Sequence, residues 1–273
     1  MSKDKVIWTE NLQKSYPLIK TYRDLIRHPF QRKFVHALRG INIAVSPQTC
    51  FCLVGPNGAG KTTLIKILTT LVLPDAGSAF ILSHDVVRED ARVKHLVGLA
   101  IAEERSFYWR LTGRQNLEFF ASLYGFSRRE AKKRIDEILE LVGLTREADK
   151  RFNTYSSGMR QLLGLARALL PDVEIVFVDE PTRSLDPQMA ERIRRFLRHE
   201  LVDRQGKTVF WASHNLSEVE AYGQEVAIIS QGKIKIQGRI SELAGEGKQS
   251  LFEVYKQYVG SEENELSTLS GRY

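Results

Sequence analysis

Long apolar runs are missing from this chain of 273 residues. No uninterrupted apolar stretch approaches the ~18 residues that a membrane-spanning helix needs. The N-terminus, MSKDKVIWTENLQK, lacks the apolar core of a secretory leader. Any role at a membrane is therefore expected to be peripheral and exercised through a partner. Cysteine is scarce, with two in all, which fits a reducing cytoplasm. Cys50 and Cys52 stand two apart, a spacing that puts both on one face of a strand, where core packing outweighs metal or redox chemistry. A dominant charge is also lacking. Lys and Arg number 40 against 33 Asp and Glu, a net +7, too modest to argue alone for nucleic acid or an anionic membrane. No internal repeat is present.

What is present is an ordinary globular composition, 42% hydrophobic and 27% charged, with one stretch of distinctive chemistry. The apolar run Cys50 to Val54 leads into Gly55-Pro56-Asn57-Gly58-Ala59-Gly60-Lys61-Thr62-Thr63, and a helical pattern follows. This is the phosphate-loop pattern G-x-x-x-x-G-K-[ST] between a strand and a helix. Gly58 and Gly60 permit backbone angles that aim successive N–H groups at phosphate oxygens. The start of the next helix adds its dipole to that anion site. Lys61 is placed to reach the β- and γ-phosphates, and Thr62 to offer its hydroxyl to Mg²⁺. The sequence is that of a nucleoside-triphosphate binder.

Around this loop the chain reads as α/β. Val6 to Leu12 alternates weakly as a strand that Tyr16-Pro17 ends, and a basic, aromatic insertion spans Leu18 to Lys33. That insertion reads either as a solvated surface segment or as a docking element for an anionic membrane or a partner. Ile41 to Val45 is expected as a strand, and the helix from Lys61 stops at Pro74-Asp75-Ala76-Gly77. Strand, helix and strand follow at Ser78 to Leu82, Asp90 to His95 and Val97 to Ile101. From Ser106 to Leu170 the pattern turns helical, with capping boxes at Thr112-Gly113-Arg114-Gln115 and Ser127-Arg128-Arg129-Glu130. The α/β pattern resumes with buried strands at Glu174 to Val178 and Thr208 to Ala212, a helix from Asp186-Pro187 to about Asp203, and a hairpin turning at Gln231-Gly232. The tail beyond Gly260 has little to bury and is expected to be disordered.

A second constellation lies at the end of the apolar run Val176-Phe177-Val178. There Asp179 and Glu180 stand side by side. In a phosphate-loop protein the first is placed to hold Mg²⁺ opposite Thr62, and the second to polarise an attacking water. Together with Tyr155-Ser156-Ser157-Gly158-Met159, Pro181-Thr182, Ser184-Leu185-Asp186 and Ser213-His214, this ordered set resembles the ATP-binding cassette (ABC) ATPases over roughly Val6 to Leu243.

The resemblance implies a P-loop NTPase: a RecA-like parallel-sheet core with an N-terminal antiparallel β subdomain and an inserted α-helical subdomain. The core would take residues 1–105 and 171–243 and the helical subdomain 106–170, leaving 244–273 as a C-terminal extension. It also implies ATP and Mg²⁺ as ligands, Glu180 as general base and His214 as the γ-phosphate sensor. Ser156, Ser157 and Gly158 would clamp the nucleotide of an opposed subunit, with Asp186 in the D-loop, so that a homodimer or ABC heterodimer shares two ATP sites. Tyr16 resembles the aromatic that stacks on adenine, with Tyr22 as the other candidate.

Three departures from the family stand out. Glu103, or Glu104 in another register, replaces the glutamine that meets the metal. Ser157 replaces a glycine, and Met159 a glutamine. The wording of the helical subdomain looks most like exporter ATPases of the ABC-2 type. The expected role is the motor of a separate transmembrane permease, peripheral at the cytoplasmic face of the membrane. The rival from another class, an ABC ATPase acting on nucleic acid or the ribosome, usually has paired cassettes or long coiled coils, and neither is present; no nucleic-acid partner is expected. A GTPase is disfavoured by the lack of an Asn-Lys-x-Asp motif.

Overall fold

Two sheets position the site. The computed structural model describes residues 4–18, 34–101, 107–245 and 249–260. The first sheet is antiparallel. Its strands are β1 (Ile7–Pro17), β2 (Phe34–Ile41), β3 (Ala44–Val45), β5 (Ala76–Ile81) and β6 (His84–Asp85), in the order β2-β1-β5-β6 with β3 pairing β1. The second is built on β4 (Cys50–Val54), β7 (Val97–Ile101), β8 (Ile175–Asp179), β9 (Thr208–Ser213), β10 (Glu225–Ser230) and β11 (Lys233–Arg239). Its order is β11-β10-β4-β9-β8-β7, parallel throughout except for the antiparallel β10–β11 hairpin at one edge.

The hydrophobic pattern explains which strands are central. Every residue of β4, β8, β9 and β10 is buried, the signature of parallel strands covered on both faces. Phe51 and Phe177 pack tilted against Phe210 across β4, β9 and β8, with ring centroids 5.0 and 5.2 Å apart. On that face sits α1 (Lys61–Leu68), which follows the phosphate loop. Its Leu64, Ile65, Ile67 and Leu68 are fully buried, each stabilising the packing by roughly 1.5–3 kcal/mol.

Next comes α2 (Asp90–Leu96), ahead of β7, and then the helices α3 (Gly113–Leu123), α4 (Arg128–Leu141) and α5 (Ser157–Ala168). Thr112 and Ser127 open α3 and α4 with complete capping boxes to Gln115 and Glu130, and Gly143, at φ 69°, closes the second. After β8, α6 (Pro187–Arg195) winds on in wider turns through Phe196–Arg204. The chain ends with α7 (Leu216–Tyr222), α8 (Ile240–Leu243) and α9 (Leu251–Tyr255). No helix among the described residues is long and apolar enough to cross a membrane.

The structure departs from the sequence pattern at Ile41 to Val45. Instead of one strand, β2 ends at Ile41 and β3 begins at Ala44. The break is held by side chains: the Thr9 hydroxyl donates to Ile41 O (2.9 Å) and accepts from Ile43 N (3.1 Å), while Asn42 Oδ1 accepts from Asn11 N (2.8 Å). β2, β6, α7, α8 and α9 are additions to the sequence reading. The insertion from residue 19 to 33 and the tail from 261 lie outside the described residues.

Candidate active site

The phosphate loop turns between β4 and α1. Gly60 sits at φ 109°, a left-handed value that penalises any side chain, and a Cβ there would come within 2.5 Å of Ala37 O. Gly55 is constrained by packing rather than by φ, since a Cβ would collide with the Ile229 carbonyl of β10. Lys61 is buried, and its ammonium donates to the loop's own carbonyls, Gly55 O at 2.6 Å and Pro56 O at 3.2 Å. Glu180 Oε1 lies 3.8 Å from the same nitrogen. Burial lowers the Lys61 pKa, against the opposing pull of Glu180 and Asp179.

Across from the loop, β8 delivers the two carboxylates in different states. Asp179 is buried, and its Oδ2 accepts the Thr62 hydroxyl at 2.7 Å. Burial pushes its carboxyl upward, and the neighbouring Glu180 charge adds to the shift. Glu180 leaves the strand at φ 52°, rare for a residue with a side chain. Its N–H still donates to Ala212 O of β9 at 2.9 Å. Its carboxylate reaches the residue that follows β9, where His214 Nδ1 meets Oε2 at 2.6 Å.

Lys61, Thr62, Asp179 and Glu180 face a cavity of about 390 Å³, whereas Gly55, Pro56 and His214 are not part of its lining. The segment Asn57 to Thr63 forms one wall and Asp179 and Glu180 the other, and Ala37, Ile101 and Arg183 complete the lining. Sequence reasoning missed those last three. Ile101 ends β7 and Ala37 lies on the unread strand β2, so neither carries a chemical signal. Arg183 was legible inside Asp-Glu-Pro-Thr-Arg but carries no motif role.

A divalent cation fits the pair facing Lys61. Asp179 Oδ1 is buried with no hydrogen-bond partner among the described residues, and the Thr62 hydroxyl is bound to its other oxygen. Hard oxygen donors of this kind suit Mg²⁺. Glu103 and Glu104, the further candidates for the metal, lie outside the described residues.

Other residues singled out from the sequence stand away from the cavity lining. Ser156 caps α5, its Oγ accepting from Met159 N at 3.2 Å, and the exposed Ser157 is the first helical residue. Gly158 is buried against α6, where a Cβ would strike Met189 Cγ and lie 3.0 Å from its Sδ. Asp186 caps α6 through Met189 N at 2.9 Å. The segments around Gly158 and Asp186 therefore touch one another through Met189. Tyr16 stands near the end of β1 opposite Val35, with Lys14 Nζ 5.6 Å from its ring centre, and does not line the cavity. Tyr22 lies outside the described residues.

Comparison with known proteins places this geometry. The ABC transporter family model matches residues 38–183. The ABC transporter ATP-binding protein NatA of Bacillus subtilis is 33% identical over 213 residues, 78% of this chain and 86% of that one. A daunorubicin resistance ATP-binding protein of Streptomyces coeruleorubidus is 38% identical, covering 77% of this chain and 66% of that one. The bacitracin transport ATP-binding protein BcrA of Bacillus licheniformis is 39% identical over 71% of this chain and 62% of its own. The chain thus spans just under two thirds of the two resistance and transport relatives. Among solved structures, the cassette MJ0796, dimeric and bound to ADP and Pi, superposes with a TM-score of 0.71 at 24% identity, covering 85% of this chain and 98% of that one. The cbiO1 protein of Clostridium perfringens does so with 0.75 at 22% identity, covering 97% and 99%. This chain belongs to the ABC transporter family, as one of its ATPase cassettes.

Proposed function

We propose that this cassette hydrolyses ATP to drive a separate membrane-spanning permease of an ABC-2-type exporter, seated against it at the cytoplasmic face of the membrane. The observation that carries the hydrolytic half is the convergence on Glu180, with His214 on one oxygen and Lys61 facing the other. Glu180 is the general base: it polarises the attacking water and takes its proton, while the buried Lys61 charge holds the β- and γ-phosphates. Thr62 and Asp179 hold Mg²⁺, which when bound neutralises phosphate charge during phosphoryl transfer. His214, hydrogen-bonded to Glu180, orients the carboxylate and senses the γ-phosphate.

Ser156, Ser157 and Gly158 open α5, and with Asp186 they serve the second ATP site of a dimer, homodimeric or with another ABC subunit. The helix N-terminus of α5 suits a phosphate there. The exporter half rests on relatives named for bacitracin transport and daunorubicin resistance. It is tested by purifying tagged chain from detergent-solubilised membranes. A stoichiometric polytopic membrane protein should co-purify and raise the ATPase rate. Recovery wholly in the soluble fraction, with activity raised by RNA or ribosomes instead, would overturn it.

A further inference from the structure

Behind the site stands a buried carboxylate that the hydrolytic reading does not use. Glu218, on α7, is only 7% exposed, and a buried carboxylate is stable only when it is paired and hydrogen-bonded. It has both kinds of partner. Its Oε1 accepts from Arg194 Nη1 of α6 at 2.7 Å, and its Oε2 accepts the Thr182 hydroxyl, also at 2.7 Å.

The three segments joined here are those that carry the reacting groups. Thr182 lies two residues after Glu180, and Glu218 four after His214. Arg194 belongs to the helix that Asp186 caps. Backbone contacts hold Glu180 through its N–H to Ala212 O of β9 at 2.9 Å and, within its own turn, through Arg183 N to Glu180 O at 3.2 Å. Its φ of 52° is unfavourable for a side-chain-bearing residue and persists only where the surroundings enforce it. The Thr182–Glu218 bond adds a side-chain tie to these backbone contacts, joining the turn that follows Glu180 to the helix that follows His214.

We propose that Glu218 and Thr182 are positioning residues for hydrolysis, a buried clamp that holds the Glu180 carboxylate at hydrogen-bond distance from His214. The clamp acts through Glu180, so it rests on the reading of Glu180 as the base. Neither residue lines the nucleotide cavity. Loosening the clamp therefore misplaces the base without touching the groups that bind ATP.

The test compares Thr182→Val, Thr182→Ser, Glu218→Gln and Glu180→Gln in the full chain by steady-state ATPase kinetics and thermal melting. Val matches Thr in shape and lacks only the hydroxyl. Thr182→Val should lower kcat by roughly ten- to a hundred-fold, the scale of a small misplacement of a catalytic group. KM for ATP should stay within about twofold, and Thr182→Ser should restore most of the rate. Glu218→Gln, where it folds, should lower kcat likewise, and the pair Thr182→Val with Glu218→Gln should be no worse than the slower single variant, as for two residues acting through one contact. Wild-type turnover in Thr182→Val while Glu180→Gln is inactive would overturn the clamp alone. Wild-type turnover in Glu180→Gln would overturn the base and the clamp with it. A lower melting temperature with unchanged kcat would reduce the contact to simple packing and equally overturn the proposal.

Discussion

Thr62 and Asp179 are joined by a single hydrogen bond, 2.7 Å from hydroxyl to Oδ2, which leaves the buried Oδ1 with no partner among the described residues. The carboxyl is held above its ordinary value chiefly by burial. Stability linked to its protonated form is fully present below that ordinary value, about pH 4, and is lost as pH rises through the higher folded value. At neutral pH without metal, Asp179 is therefore a destabilising charge. Asp179→Asn should melt higher than wild type at pH 7 in EDTA, and the gain should fade as the pH approaches 4. Adding Mg²⁺ with ATP should reverse the order, since only the carboxylate holds the cation well. A lower melting temperature for the variant at pH 7 in EDTA would count against this account.

Lys61 is the buried cation of the loop, hydrogen-bonded to the Gly55 and Pro56 carbonyls. Charge-assisted bonds of this kind contribute about 1.5–3 kcal/mol each. Lys61→Ala should weaken ATP binding by roughly ten- to a hundred-fold, read by equilibrium titration with a fluorescent nucleotide. Affinity within twofold of wild type would remove Lys61 from the phosphate site.

Gly158 is fixed by its own chain. A Cβ at that position meets Met189, so Gly158→Ala should destabilise the isolated cassette by about 1–3 kcal/mol, the range for overpacking. Met189→Ala should relieve the strain, and the double variant should recover most of the lost melting temperature. Failure of the second change to rescue the first would show that the Gly158–Met189 contact is not what excludes a side chain there.

The proposed sharing of each site between subunits makes activity depend on assembly. The ATPase rate should rise more steeply than linearly with protein concentration where dimers are scarce. Ser156→Ala should lower the rate without weakening nucleotide binding by the monomer. A rate strictly proportional to concentration throughout would contradict shared sites.

Much of this arrangement was legible from local chemistry. The loop from Gly55 to Thr63 carries its glycines and Lys61 in unbroken order, and the buried runs ending at Asp179 and Ser213 read as parallel strands because all their residues are apolar or nearly so. The capping boxes at Thr112 and Ser127 set two helix starts without tertiary help. What escaped depends on distant partners. β2 mixes His36 and Arg39 with its apolar residues and is a strand because β1 pairs with it. The short helix α7 is stabilised by the Asn215 cap and by Glu218 reaching Thr182 and Arg194. Met189 against Gly158 and His214 against Glu180 join residues far apart in sequence, and no spacing rule announces such contacts.

The central claim is that Glu180 activates the water. Glu180→Gln preserves shape and hydrogen bonding toward His214 while removing the basic oxygen. The measurement is phosphate release by this variant at saturating ATP and Mg²⁺, with the nucleotide content and size of the protein read by gel filtration. The account predicts turnover reduced at least about a hundred-fold and an ATP-loaded dimer that persists through the column; hydrolysis within a few-fold of wild type, with ADP recovered, would contradict it.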